Sequence, residues 1–337
     1  MRTFFVTGVA GFIGFWVAKR LLARGDRVVG LDNLNAYYDV SLKEARLGQL
    51  RSLGEVNCFE WVHGDLLDKA CLEKVFDRYA FDGVIHLAAQ AGVRHSLSQP
   101  QDYVDSNITG FLNVLERIRQ RPLHLVYASS SSVYGGLKEL PYHEAQNVDR
   151  PVSLYAATKR ANELMAHTYS HLFQIPATGL RFFTVYGPWG RPDMAYFKFV
   201  KSILEGRPIE IYNDGRMRRD FTYIDDVVNG VLEVVDHPSA ASPADSHFAF
   251  DVLPAHRILN IGTHQPVELS EFVSIIEQAL GKKAEKVYKP MQAGDVPATY
   301  ADTSALRTLT GFAPNTPLAQ GLTYFIDWYR SFYGVPS

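Results

Sequence analysis

Residues 4–22 read FFVTGVAGFIGFWVAKRLL. A β-rich apolar run, Phe4–Thr7, meets glycines at Gly8, Gly11 and Gly14, and a helical pattern over Ile13–Leu22 follows at once. The spacing is G-x-x-G-x-x-G, and its position between a strand and a helix gives it meaning. Such a turn lets the backbone approach a pyrophosphate, while the helix N-terminus presents N–H donors and a partial positive charge. The bland alternative is a plain tight turn.

The same rhythm repeats downstream. Strand-like runs are expected at Val28–Leu31, Phe59–Val62, Gly83–Leu87 and Leu123–Ala128, with helical patterns at Leu42–Leu53, Ala70–Tyr79 and Ile108–Ile118. Strands that are apolar throughout and joined by helices indicate a parallel sheet covered on both faces. Right-handed crossovers then give an α/β, doubly wound, Rossmann-type sheet. A longer helix, Tyr155–Phe173, and a strand, Ala177–Phe182, continue it. Beyond about Gly187, prolines and glycines break the chain into shorter pieces, with a helix expected at Asp225–Val235, a strand at Ile258–Ile261 and a helix at Ser270–Leu280. Residues 237–256, rich in Pro, Ala and Ser, read as an exposed loop. The expected division is a dinucleotide-binding Rossmann domain over 1–186, to which 220–235 and 255–265 return. Residues 187–337 are then mainly a smaller C-terminal α/β substrate-binding domain.

The chain has 337 residues, 47% hydrophobic and 21% charged, as a packed globular protein requires. Its formal net charge of −2 supplies no basic excess, so neither nucleic acid nor a membrane surface is expected as a partner. Cys58 and Cys71 are its only cysteines, which excludes a disulfide framework and favours a reducing compartment. MRTFFVTGVAGF reads as a first strand rather than a signal peptide, and no apolar run approaches the roughly 20 residues that span a bilayer. A cytoplasmic protein is expected. The histidines and cysteines show no metal-ligand spacing, so no metal is expected.

Asp32 closes the second strand-like run, RVVGLDN. A carboxylate there bonds a ribose 2′-hydroxyl and repels a 2′-phosphate, which favours NAD over NADP. Asp65, in HGDLLD, is a candidate to bracket the adenine, or else a helix N-cap. His86 reads as a core histidine rather than a catalyst. Tyr155 and Lys159 in SLYAATKRANE are four apart and share a helical face. A phenol acting as a base near neutrality needs its pKa to fall by about 3, or about 4 kcal/mol. A neighbouring Lys159 ammonium and an oxidised nicotinamide would favour the phenolate. YASSSSVYGG (127–136) sets the row Ser129–Ser132 where a buried strand ends, the place where ligands bind in such a sheet. The serines, Tyr155, Lys159 and the glycine turn are therefore expected at one crevice. The bland reading of the row is turn capping.

Taken together, TGVAGFIG (7–14), Asp32, the serine run with VYG, Tyr155 and Lys159, RFFTVYGP (181–188) and RRDFTYIDD (218–226) resemble the extended short-chain dehydrogenase/reductase family of nucleotide-sugar enzymes. The resemblance covers nearly the whole chain. Two stretches, LAAQAGVRHSLSQPQDYVDSNITGFLNVLE (87–116) and GPWGRPDMAYFKF (187–199), are more specific and resemble UDP-glucuronate 4-epimerases. The resemblance implies NAD as cofactor, held by Gly8, Gly11, Phe12, Ile13 and Gly14, by Asp32, Asn33, Asn35, Asp65 and Leu66, and by Leu87, Ala88, Ala89, Gln90, Asn107, Tyr155 and Lys159. It implies Tyr155, Lys159 and Ser130 as catalytic residues. It also implies a UDP-sugar substrate and a homodimer formed through the helices after the fourth and fifth strands.

The implied first step is oxidation at C4, with Tyr155 taking the O4 proton and a 4-keto sugar forming through transient NADH. A 4,6-dehydratase would carry an Asp-Glu pair where this chain has serines. A 4-epimerase acting on UDP-glucuronate makes a β-keto acid, which loses CO₂ unless its carboxylate is clamped; hydroxyls and a guanidinium suit that task. Ser129, Ser130 and Ser131 form the expected cradle, with Arg191 as the opposing charge and Thr184 at the sugar. Arg219 matches the family's diphosphate arginine, while Gln292 stands where hexose epimerases usually have a second arginine. Asp295 is expected at the uridine ribose and Tyr212 at the uracil. The alternatives are a UDP-glucose or UDP-N-acetylhexosamine 4-epimerase, a UDP-glucuronate decarboxylase, and a nucleotide-sensing relic of the fold.

Overall fold

A computed structural model describes residues 1–53, 58–243, 252–292 and 294–336. Its first half alternates strands and helices: β1 (Thr3–Thr7), α1 (Phe12–Ala23), β2 (Arg27–Asp32), α2 (Val40–Leu53), β3 (Phe59–His63), α3 (Lys69–Arg78), β4 (Gly83–His86), α4 (Gly110–Ile118), β5 (His124–Ser130), α5 (Leu154–Phe173) and β6 (Ala177–Phe182). β7 (Thr184–Tyr186), α6 (Ala195–Leu204), β8 (Ile209–Tyr212), β9 (Arg218–Tyr223) and α7 (Ile224–Asp236) follow. The chain ends through β10 (His256–Ile261), β11 (Pro266–Glu268), α8 (Leu269–Leu280), β12 (Lys286–Lys289) and α9 (Leu318–Tyr333).

Seven strands form one sheet in the order β10-β6-β5-β4-β1-β2-β3, every pair parallel. This is the doubly wound Rossmann-type architecture. The reason is visible in β1, β4 and β6, whose residues are buried almost without exception, as strands covered on both faces must be. One apolar layer joins Val6, Phe15 and Val28 to Val227 and Val231 of α7, so the late helix packs beside α1. The opposite layer joins Phe5, Phe111, Tyr127 and Ala166.

Two smaller sheets, β11-β9-β7 and β12-β8, follow, with β7 one residue beyond the carboxyl end of β6. Helices α6, α8 and α9 cover them through an aromatic cluster in which Phe197 and Phe325 lie 5.5 Å apart, and the Phe221 and Phe272 rings stack at 4.3 Å. These residues belong to the same continuous core as Phe15, so the two parts share apolar packing.

Three local expectations are corrected. Before α4, residues Val104–Thr109 form a π-helical turn, where the sequence pattern suggested only a helix beginning at Ile108. Within it the side chain of Asn107 accepts from Gln90 N at 2.8 Å and donates to Gln90 O at 3.0 Å; such single π turns are frequent at functional sites. In the stretch read as an exposed loop, Ser242–Pro243 pair with Val252–Leu253, and β10 already begins at His256. The rest of that stretch, 244–251, lies outside the described residues. Finally, the N-cap of α3 is Asp68, whose carboxylate accepts from Cys71 N at 3.0 Å, so the capping alternative for Asp65 falls to its neighbour.

Candidate active site

The strand order reverses between β1 and β4, and a cleft of about 1070 Å³ opens at the carboxyl ends there. The glycine turn forms its floor. Gly8 has φ +72°, and a Cβ on it would lie 2.7 Å from Ala88 N, so only glycine lets the first turn pass beneath the loop after β4. Gly11 N bonds Gly8 O at 2.9 Å, and Gly11 caps α1 without a side-chain bond, which leaves the first N–H groups of the helix at the cleft beside Phe12 and Ile13. Gly14 packs on the Gly8 carbonyl, closing helix onto turn.

Asp32 is 8% exposed and accepts from Ala10 N at 3.0 Å and Leu34 N at 2.9 Å, which fixes it at the cleft wall with lone pairs left over. Asn33 donates to Asp65 at 2.7 Å, so the two candidate adenine-side residues are linked. Asn35 is held by Lys43, whose Nζ donates to its main-chain oxygen at 2.7 Å and its Oδ1 at 2.8 Å; Lys43 carries no motif that marks it in the sequence. Leu66, Leu87, Ala88, Ala89 and Gln90 line the cleft. Uncapped helix N–H groups, a carboxylate closing β2 and small residues just after β4 fit a dinucleotide with a free 2′-hydroxyl.

Asn107 is the exception among the cofactor candidates. It is 1% exposed, with its amide bonded to Gln90 and to Thr158 Oγ1 at 3.0 Å. It braces the cofactor wall against α5 rather than facing the cleft. His86 is buried, bonded through Nδ1 to Thr7 Oγ1 at 2.9 Å, and burial pushes its pKa down to about 3; it is a neutral core histidine.

The serine row divides. Strand residues alternate sides, so neighbours at the end of β5 point oppositely. Ser129 Oγ donates to Glu163 Oε1 at 2.6 Å, in a buried site where Glu163 also accepts from Arg181 Nε and Nη2, each at 2.8 Å. Its hydroxyl is therefore unavailable as part of a carboxylate cradle, contrary to expectation. Ser130 faces the other way. It caps the turn Ser131–Tyr134 by accepting from Ser132 N at 3.1 Å, its Oγ donates to Ser132 Oγ at 3.1 Å, and it lines the cleft near enough to Tyr155 to lower that phenol. Both capping and site readings thus hold for one residue. Ser131 and Thr184 line the cleft.

Tyr155 and Lys159 lie on the first turns of α5, which Ser153 caps by accepting from Ala156 N at 3.2 Å. Lys159 Nζ donates to Ala128 O at 2.9 Å, and burial lowers its pKa to about 8. Burial raises the Tyr155 phenol above its ordinary value; Ser130 and the Arg191 charge pull it down, and Asp193 pushes it up. The chain's own groups therefore leave the phenol raised, where the sequence reading looked for a lowered one: burial outweighs them.

Arg191 stands close enough to Tyr155 to influence its proton, so the guanidinium and the phenol share the cleft. Arg191 donates to Asp193 from Nε at 3.0 Å and from Nη2 at 2.5 Å. Asp193 lies in the quoted GPWGRPD loop, yet sequence alone attached no role to it. At the far end of the cleft, Arg219, Asp295 and Tyr212 converge, joined by Arg94, which no sequence motif marks. Arg94 Nη2 bonds Asp295 Oδ2 at 3.2 Å and its guanidinium sits 4.7 Å from the centre of the Tyr212 ring. Gln292 is not among the residues lining the cleft. Among the described residues no group of three His, Cys, Asp or Glu could hold a metal ion.

The glycine turn, Asp32 and the Tyr155–Lys159 pair at one switch-point cleft define a nicotinamide-dependent short-chain enzyme. Residues 4–262 match the model of the NAD dependent epimerase/dehydratase family, and the chain belongs to that family. It is 49% identical to a probable UDP-glucuronate 4-epimerase of Rhizobium meliloti, over 98% of this chain and 97% of that protein. It is likewise 49% identical to UDP-glucuronate 4-epimerase 1 of Arabidopsis thaliana, over 98% of this chain and 77% of that one. A crystal structure of UDP-glucuronic acid 4-epimerase from Bacillus cereus, in complex with UDP-glucuronic acid and NAD, superposes with a TM-score of 0.87 at 32% identity, covering 98% of this chain and 100% of that one.

Proposed function

We propose that this protein is a UDP-glucuronate 4-epimerase, interconverting UDP-glucuronate and UDP-galacturonate. The observation that carries the reading is one juxtaposition: Tyr155, Ser130 and Arg191 line a single cleft, where Ser130 and the Arg191 charge both pull the Tyr155 phenol down. NAD, when bound, supplies the hydride acceptor at C4 of the sugar and a positive charge.

The chain's residues do the rest. Tyr155 takes the O4 proton, Ser130 shares it, and Lys159 favours the phenolate while anchoring α5 to β5. Arg191, with Ser131 and Thr184, grips the uronate carboxylate. That grip has a chemical purpose, because a β-keto acid loses CO₂ fastest when the breaking bond stands perpendicular to the ketone plane. Gly8, Gly11, Phe12, Ile13, Gly14, Asp32 and Leu87–Gln90 hold the dinucleotide, and Asp65 brackets its adenine through Asn33. Arg219 takes the diphosphate, with Arg94 as the second cation in that half of the cleft, where Gln292 offers none. Asp295 and Tyr212, both partners of Arg94, receive the uridine. In this assignment residues 1–186, with 220–235 and 255–265, form the NAD-binding domain and 187–337 mainly bind the nucleotide sugar.

The protein is a homodimer in this reading. Support comes from α4 and α5, where Leu112 is 37% exposed, Leu164 51% and Leu172 60%. A light-scattering mass of one chain would remove that part. A cytoplasmic site is in keeping with two free cysteines, Cys58 and Cys71; no helix among the described residues is long and apolar enough to cross a membrane.

The test is direct. Purified protein is incubated with UDP-glucuronate, UDP-glucose and UDP-N-acetylglucosamine, and the products are separated. UDP-galacturonate is expected. Turnover of the neutral sugars alone would replace the reading with a hexose epimerase, and UDP-pentose alone with a decarboxylase.

A further inference from the structure

We propose that Tyr37 and Asp193 are positioning residues that hold the Arg191 guanidinium at a fixed angle in the cleft and thereby set its selectivity for an acidic sugar; this rests on the reading of Arg191 given above. Asp193 occupies the Nε–Nη2 edge of Arg191, at 3.0 and 2.5 Å. A guanidinium carries five N–H donors, so Nη1 and the outer Nη2 hydrogen remain for a second carboxylate. Tyr37 reaches the same Asp193 oxygen, Oδ2, at 3.2 Å from a loop 156 residues away in sequence.

Tyr37 belongs to the segment that runs from Asp32 to α2, and it is built in from below. Gly92 has φ +108°, and a Cβ there would lie 2.5 Å from the Tyr37 hydroxyl oxygen, so that glycine makes the passage for the phenol. The loop that carries Arg191 is fastened separately by Arg46, which is fully buried. Arg46 donates from Nη1 to Ala10 O at 2.8 Å and from Nη2 to Trp189 O at 2.6 Å and Gly190 O at 3.2 Å. The glycine turn and the guanidinium loop are thus locked together at the main chain, and Tyr37 and Asp193 complete the lock at the side chain. Burial works against the Asp193 charge, and Arg191 and Tyr37 more than offset it, leaving its carboxyl below the usual range.

Two effects of Asp193 oppose each other. Its charge repels a substrate carboxylate, whereas its two hydrogen bonds remove the rotamer freedom that a free arginine must surrender on binding. Charge alone makes Asp193→Asn a better uronate binder. Orientation makes it a worse one, and lets the carboxylate turn toward the geometry that loses CO₂.

The experiment compares wild type, Tyr37→Phe, Asp193→Asn, Arg191→Gln and the Tyr37→Phe/Arg191→Gln double variant with UDP-glucuronate, scoring KM and the share of decarboxylated UDP-pentose among the products. Melting temperature and bound NAD are measured alongside. Tyr37→Phe and Asp193→Asn are each expected to raise KM roughly tenfold or more and to release UDP-pentose, at wild-type NAD content. Tyr37→Phe is expected to add nothing once Arg191 is gone. An unchanged KM and product ratio, a lower KM for Asp193→Asn, an undiminished Tyr37 effect without Arg191, or a loss of NAD and folding that accounts for the raised KM would each overturn the proposal. A wild type that does not turn over UDP-glucuronate overturns the functional reading first, and this inference with it.

Discussion

Lys159 Nζ donates to the main-chain oxygen of Ala128 at 2.9 Å. The bond ties the helix that carries Tyr155 to the strand end that carries Ser130. Burial lowers the ammonium from its ordinary 10.5 to about 8. Below pH 8 both folded and unfolded chains hold the proton, and the cost of the buried charge is constant. Between pH 8 and 10.5 the folded chain releases it first, so this cost is relieved as pH rises. Against a Lys159→Met variant, wild-type stability should therefore improve by about 1.4 kcal/mol per pH step across that window. Denaturant titrations of the two proteins at pH 7.5 and 10 check it; parallel curves would mean that the ammonium is not buried as described.

Tyr155→Phe removes one oxygen. Turnover should fall by about 10²- to 10⁴-fold, the usual worth of a positioned acid–base group, while NAD remains bound. Full activity would take away its role as the base.

Ser129 and Ser130 should separate cleanly. Ser129→Ala deprives the buried Glu163 of a donor and should cost about 1–3 kcal/mol of stability with KM unaltered. Ser130→Ala removes a group that lowers the Tyr155 phenol, so the acidic limb of the pH–rate profile should move to higher pH, with about the 1 kcal/mol of stability that a lost cap costs. Reversed outcomes would show the serine row facing the other way.

Arg191→Gln removes the charge nearest the proposed carboxylate. UDP-glucuronate turnover should suffer far more than UDP-glucose turnover, and UDP-pentose should appear among the products. Equal losses on both sugars would defeat the carboxylate assignment. The phenol should also rise further, because Arg191 now holds it down.

His86 makes an acid-stability prediction. Its folded pKa is about 3 against an ordinary 6.5, so between those values the unfolded chain binds a proton that the folded one lacks. Stability should be full above pH 6.5 and fall by about 1.4 kcal/mol per pH step below it. His86→Asn should flatten that acid slope; melting curves from pH 7 to 4 decide.

The parts legible in the sequence are those written in short spacings. The glycines of TGVAGFIG, the apolar runs of β1 to β6 and the Tyr155–Lys159 step each depend on residues within one turn or one strand, whose geometry the backbone imposes wherever they stand. A residue type at a motif position does not reveal which way its side chain points. Ser129 and Ser130 look alike in a row of four, yet pleating at the end of β5 sends one into the Glu163–Arg181 pair and the other to Tyr155. Asn107 carries no mark of its brace to Gln90, because that contact depends on a π turn meeting a loop 17 residues away. Tyr37 and Asp193 are 156 residues apart, and Arg94 and Asp295 are 201 apart. Their meetings arise from the packing of whole elements, since only the closed core brings loops from the large sheet and the smaller ones to the same cleft. Local sterics and periodicity thus settled the Rossmann-type frame and its motif residues from the chain alone. Long-range packing decided which side chains reach the cleft, which become its braces, and how far burial shifts their protons.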